Sequence, residues 1–259
     1  MKIYEVCSVL EKYAPLTLAE DYDNVGLLVG DKNADVTGII TTLDVDIRVA
    51  AEAADRGANL IVSHHPIMFS PIKKITADTP EGRLLMFLMQ NNIAVYAAHT
   101  NLDSTEGGLN DLIAGFLSLT NTIPLHKYES SGGIGRVGTL PSAVTLGELA
   151  DKVRDTFSLP FVRYTGNAGR IISRVALCSG GGGSLTDDAI NSGADVYITG
   201  DLKYNAVRDA AEYGLSIIEV DHFSSECFAK RLLAEILTDA FGDTLPIIMS
   251  ECNTDIYGG

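Results

Sequence analysis

Four of the chain's five histidines lie in motifs that could do chemistry: Ser63-His64-His65-Pro66, His99-Thr100-Asn101-Leu102-Asp103, and Asp221-His222-Phe223-Ser224-Ser225-Glu226. Imidazoles beside carboxylates suit Zn, Mn, Fe and similar divalent ions, whereas an all-oxygen set suits Mg or Ca. His64, His65, His222, Asp103 and Glu226 are too many ligands for one tetrahedral ion, and they suit two ions bridged by a carboxylate and by water. Adjacent His64 and His65 point to opposite sides of an extended chain, but Pro66 disfavours helix at His65 and promotes a turn, which lets both rings reach one cavity. A single strand-end histidine is more often a hydrogen-bonded core residue; several at equivalent strand ends argue for a ligand set. His126 falls outside these motifs and reads as a surface residue.

Each motif closes a short apolar run. GIITTLDV (38–45), NLIVSHH (59–65) and NIAVYAAHT (92–100) have the pattern of buried parallel strands, and the amphipathic stretches RVAAEAADRG and EGRLLMFLMQNN between them are helical, the first ending at Gly57 as a left-handed cap. Alternating strand and helix predicts an α/β layer architecture with right-handed crossovers. Ligands in such folds bind beyond the carboxyl ends of the strands, where these histidines are expected.

The order returns in the second half, with RVALCSG, DVYITGD and LSIIEVDH as strands and TDDAINSG and KYNAVRDAAEYG as helices. A shift of 136 lays Val25 to Gly30 on Phe161 to Gly166 and His65 on Asp201; further on, a shift of 123 lays His99 and Asp103 on His222 and Glu226. The reading is an internal duplication: a first α/β repeat at 1–128, a second at 129–259, and a Gly/Ser-rich connector with one short strand at 130–142. Three further features have open alternatives. Asp201 is the N-cap of the helix near Leu202, a support for a ligand, or a catalytic acid or base. The run Ser179-Gly180-Gly181-Gly182-Gly183-Ser184 is a phosphate cradle or a plain tight turn, and it matches neither the Walker nor the Rossmann spacing. Asp23-Asn24-Val25-Gly26 reads as a turn that could approach the same cleft.

Composition bounds the partners. The 259 residues are 46% hydrophobic and 20% charged, and they carry 19 Lys and Arg against 34 Asp and Glu, a net charge of −15 that repels duplex nucleic acid and anionic lipid. No apolar run approaches the ~20 residues of a membrane span, the amino terminus lacks a signal-peptide core, and the expected place is the cytoplasm. Cys7, Cys178, Cys227 and Cys252 are far apart and form no C-x-x-C pair, so they are expected reduced and mostly buried.

In order, SHHPIMF, AAHTNLD, GGGGS, GADVYITGD and DHFSSE resemble the Nif-three-like metalloproteins, also known as the GTP cyclohydrolase 1 type 2 homologue family, from the DNVGLLVG segment to the carboxyl-terminal helix. The resemblance implies two intertwined α/β repeats with mostly parallel mixed sheets, a carboxyl-terminal helix packed on the first repeat, and a toroidal homohexamer with two divalent ions per chain. It implies His64, His65, Asp103, His222 and Glu226 as ligands, Glu226 touching both ions, and His99 lining the site. The activity implied is hydrolysis of a small molecule. Its candidates are opening of the purine ring of GTP with release of formate, or cleavage of a related amide or amidine bond. In that reading His99 shuttles a proton, and Gly181, Gly182, Gly183, Ser184 and Asp201 contact substrate. The alternative is a non-catalytic, metal-binding ring protein with a regulatory or partner-binding role. The chain departs from many relatives at Tyr204-Asn205, where they have Tyr-His or His-His, and it lacks the large inserted domain of some.

Overall fold

Four-residue strands built from β-branched and small apolar residues bury every side chain only if both faces of their sheet are covered, and three runs of this chain do so. The computed structural model describes residues 1–128 and 132–257. Its elements in chain order begin α1 (Ile3–Tyr13), β1 (Gly26–Val29), β2 (Ile39–Thr42), α2 (Ile47–Asp55), β3 (Leu60–Ser63), α3 (Pro80–Gln90), β4 (Ala94–Ala97) and α4 (Thr100–Ser104). They continue with α5 (Leu109–Phe116), β5 (Thr120–Lys127), β6 (Gly133–Thr145), α6 (Leu146–Thr156), β7 (Arg163–Tyr164), β8 (Ile171–Leu177), α7 (Thr186–Asn191) and β9 (Val196–Thr199). The last are α8 (Tyr204–Glu212), β10 (Ser216–Glu219), α9 (His222–Glu226), α10 (Ala229–Phe241) and β11 (Ile247–Met249). No helix among the described residues is long and apolar enough to cross a membrane.

These elements form two units, Met1–Leu102 with Ala229–Gly259, and Asp103–Phe228. The first holds the sheet β1-β4-β3-β2-β11, with β1 antiparallel to β4 and the other pairs parallel. Ile40, Ile61 and Val95 pack on one face against Val49, Ala53 and Leu88 of α2 and α3. Asp46 caps α2 by accepting from Arg48 N and Val49 N, and Gly57 just beyond the helix has φ +69°. The second unit holds the sheet β7-β10-β9-β8-β6-β5. Here β7–β10, β6–β8 and β5–β6 are antiparallel and β8–β9 and β9–β10 parallel, so this sheet is not mostly parallel. Ala176, Tyr197 and Ile217 form its core with Ala189 of α7 and Ala210 of α8.

The duplication is visible in topology: β7-β10-β9-β8 repeats β1-β4-β3-β2 in order and sense. The units do not follow the boundary at 128 and 129. Each repeat sends its closing helix and strand elsewhere: α5 and β5 join the second unit, α10 and β11 the first, so the repeats are intertwined by exchange. The connector is also more than a short strand. Residues 130 and 131 lie outside the described set, and 133–145 form β6, a 13-residue strand hydrogen-bonded on both edges. Its Gly, Ser and Pro residues hide it from a periodicity reading, yet two neighbouring strands supply the backbone partners that composition does not reveal.

Candidate metal-binding residues

In the first unit, His64 N and His65 N donate to Thr42 O (3.1 Å) and Leu43 O (2.9 Å), extending the β2–β3 ladder past the end of β3 before Pro66 turns the chain. His64 is fully buried and its Nδ1 bonds Ala98 O at 2.8 Å. His65 Nδ1 bonds Asp44 Oδ1 at 2.7 Å, and His99 Nδ1 bonds Asp23 Oδ2 at 2.9 Å. Carbonyl and carboxylate oxygens only accept, so each of these rings donates from Nδ1. The three rings gather with centroids 5.1 to 5.5 Å apart, and one nitrogen of each lies within 4.8 Å of the others. Phe69 packs nearly perpendicular to His99, with ring centroids 5.5 Å apart. Burial would raise the Asp23 carboxyl, but hydrogen bonds from His99 and from Thr100 N and Oγ1 more than offset it and hold its pKa at about 2. The turn lies earlier than expected, closed by Asp23 N on Glu20 O at 2.9 Å, and Asp23 itself accepts from Asn24 N and orients His99.

The second unit carries the carboxylates. Asp103 in α4 and Glu226 at the end of α9 are both buried, with one oxygen of each within 4.8 Å of the other. His222 Nε2 lies 2.8 Å from Glu226 Oε2 and its Nδ1 2.6 Å from Asp201 Oδ2. The bond to Glu226 raises His222 to about 9 against burial, with Asp201 adding to the rise. Asp201 is not the cap of α8, which starts beyond Lys203 without a side-chain cap; at φ +54° it turns its carboxylate to His222 instead. Of the three alternatives, this geometry matches a carboxylate held against an imidazole. His222 and His99 are also not strict equivalents. His222 opens α9, three residues past β10, whereas His99 precedes α4, two residues past β4.

Glycines make room for the carboxylate. At Gly180, φ is +59° and an added Cβ would collide with Glu226 Oε1, so any side chain there is strained and must displace the Glu226 carboxylate. Gly182 is pressed against Tyr197 and Thr199 in the same way. Their N–H groups already donate to Ser225 Oγ and Thr199 Oγ1, both at 2.9 Å, and Asp187 and Asp188 open α7. The loop is built chiefly to pack around Glu226 and Tyr197. Burial, together with the charges of Asp103 and Glu226, pushes the Cys178 thiol well up, and all four cysteines are free thiols. His126 is exposed, with Asp188 Oδ2 3.3 Å from its Nδ1.

Sequence patterns miss Asp44, which holds His65, and Asn110, whose buried side-chain amide bonds Asp103 O and Ser179 N. Asp44 follows the end of β2, a strand-end position equivalent in kind to those singled out, and that is the signal that could have found it. Asn110 has no such signal, because a helical Asn near an amino terminus reads as solvated.

Fold and donors together define a class: a duplicated α/β protein whose parallel strands end in imidazoles held through Nδ1 and in buried carboxylates, a set that fits Zn, Mn or Fe. Residues 1–256 match the family described as Duf34/NIF3 (NGG1p interacting factor 3), and the chain belongs to it. A Clostridium perfringens protein named GTP cyclohydrolase 1 type 2 homolog is 40% identical over 97% of this chain and 97% of its own length. One of the same name from Clostridium acetobutylicum is 38% identical over 99% and 98%. The crystal structure of a Bacillus cereus protein related to NIF3 is similar over 100% of this chain and 99% of that one, with a TM-score of 0.91 and 26% identity.

Proposed function

We propose that this chain is a cytoplasmic, metal-dependent hydrolase that assembles as a homohexamer and holds two divalent ions per chain through His64, His65, Asp103, His222 and Glu226. The observation that carries the reading is the anchoring of His64, His65 and His222 through Nδ1, each to an oxygen that can only accept. That arrangement puts a proton on Nδ1 and leaves Nε2 as the nitrogen that would bind an ion, as ligand histidines require; at His222 an ion would displace the proton that Nε2 shares with Glu226. Two such ions, when bound, bring the pKa of water near neutrality and polarise an electrophilic carbon.

The chain's own residues do the rest. Asp44 and Asp201 keep their imidazoles oriented, and burial keeps Asp103 and Glu226 from swinging into solvent. His99, held by Asp23, carries a proton from the attacking water to the leaving nitrogen. The name borne by the relatives suggests GTP as substrate: water adds at C8, the imidazole ring opens, and a second water releases C8 as formate. A related amide or amidine bond would use the same residues, with Gly181, Gly182, Gly183, Ser184 and Asp201 as substrate contacts. Formate release from GTP by protein loaded with Mn, Zn or Fe tests this. Release should require metal and fall at least ~100-fold in His65→Ala; unchanged release in that variant contradicts the proposal. Light scattering tests the hexamer, and a monomer contradicts it.

One observation favours a second reading, a metal-dependent binding or regulatory protein without turnover. The N–H groups of Gly180 and Gly182 are already donated, and acidic residues open α7, so that loop offers a triphosphate little. Metal that raises the melting temperature by mass action, with no formate from GTP, supports it; a flat melting response counts against it.

A further inference from the structure

We infer that Asn110 is a positioning residue that sets the spacing of the Asp103 and Glu226 carboxylates and thereby the metal capacity of the second unit; this rests on the two-ion reading above. Asn110 is fully buried in the first turn of α5 and uses both ends of its amide. Its Nδ2 donates to Asp103 O at 3.1 Å and its Oδ1 accepts from Ser179 N at 2.9 Å. A backbone carbonyl cannot donate and an N–H cannot accept, so these partners leave one orientation of the amide.

The two bonds reach both carboxylates. On one side the amide grips the backbone of Asp103, whose Oδ1 also accepts from Ser179 Oγ at 3.4 Å. On the other side it fixes Ser179, and the next residue, Gly180, is the one whose backbone leaves no space for a Cβ beside Glu226 Oε1. Gly180 N donates to Ser225 Oγ, and Ser225 Oγ to His222 O, which fastens the same loop to α9. Asn110 therefore ties the chain carrying Asp103 to the loop backing Glu226.

Its platform is rigid. The buried guanidinium of Arg136 forks onto Asp111, with Nε to Oδ1 at 2.6 Å and Nη2 to Oδ2 at 2.8 Å, and Nη2 also donates to Thr105 O at 2.7 Å. Asp111 Oδ2 accepts from Gly107 N at 2.8 Å, closing the link between α4 and α5. An interior this polar is satisfied only as a whole, and loss of the amide leaves a buried N–H and a buried carbonyl without it.

The test is Mn(II) titration of the full-length protein, with bound and free ion counted by electron paramagnetic resonance and the coupled signal of a paired site recorded. The variants are Asn110→Ala, the isosteric Asn110→Asp and, as a core control in the same unit, Val153→Ala. Wild type should bind two ions and show the coupled signal. Both Asn110 variants should lose 10–100-fold in affinity for at least one ion and lose the coupled signal, the range typical when a partner that orients a ligand is removed. Val153→Ala should lower the melting temperature and leave Mn(II) binding intact. If Asn110→Ala does not fold, Asn110→Asp decides, because it keeps the shape and the acceptor for Ser179 N but sets an oxygen against Asp103 O. Wild type binding two ions with either folded Asn110 variant binding them equally well overturns the inference alone. Wild type binding none overturns the two-ion reading and the inference with it.

Discussion

At the ends of β3 and β4 the first unit presents three imidazoles, each held through Nδ1 by an oxygen: Ala98 O, Asp44 and Asp23. At the ends of β8, β9 and β10 the second unit presents one imidazole held by Asp201, and beside it the buried carboxylate of Glu226. The strand order beneath is the same. In the first unit the carboxylate after β2 holds the imidazole after β3; in the second, the carboxylate after β9 holds the imidazole after β10. The pairing has moved one strand along. Asp44 falls, at a shift of 136, on Gly180, where a side chain would strike Glu226. A duplicated scaffold has thus kept its geometry and exchanged its donors, nitrogen-rich in one copy and oxygen-rich in the other.

Single substitutions in each unit test whether the two copies differ in this way. The largest effect is expected for Gly180→Ala, which adds a Cβ at a left-handed φ against a buried carboxylate. It should cost roughly 3 kcal/mol or more in denaturant unfolding and displace Glu226 from metal binding. A variant as stable as wild type would show that Gly180 does not set the place of Glu226.

In the first unit the matching change, Asp44→Ala, removes an orienting partner from His65 and leaves the backbone unstrained. Metal affinity by calorimetry should fall about 10–100-fold with the fold intact. Equal affinity would mean that His65 needs no carboxylate, and the parallel with Asp201 and His222 would fail.

Asp23→Asn comes next. The folded carboxyl at about 2 lies below its ordinary 3.8, so its contribution is present above pH 4 and is lost as pH falls through 2. The variant should be about 2 kcal/mol less stable near neutrality, and the gap to wild type should narrow between pH 4 and pH 2. Urea midpoints at pH 6 and pH 3 measure this, and a gap independent of pH contradicts it. The smallest effect belongs to His126→Ala, an exposed residue outside both corners. It should change stability by less than ~0.5 kcal/mol and leave metal binding unchanged.

Much of this was legible in the residue pattern, for identifiable reasons. β2, β3 and β4 are short runs without a charged residue because both faces of their sheet are covered, and a two-sided burial requirement writes itself directly into sequence. The strand-end placement of His64, His65, His99 and His222 follows from those runs and from Pro66. What escaped depends on partners distant in sequence. No local feature of α5 or α10 states which sheet its following strand will join, so the exchange of closing elements is not written in the residue pattern; the resemblance alone implied that the carboxyl-terminal helix packs on the first repeat, where α10 lies. β6 is held by two neighbours and not by its own propensity. Asp201 looked like a cap because it precedes a helix, but its left-handed backbone and the nearby His222 decide otherwise.

In the function proposed above, the two donor sets serve a pair of divalent ions. Metal content per chain after loading with Mn and exhaustive dialysis, compared across wild type, His65→Ala and Glu226→Ala, tests it most directly. Wild type should hold two ions and each variant should lose at least one, whether the substitution is among the nitrogen donors or the oxygen donors. Two ions retained in both variants, or none in wild type, would contradict it.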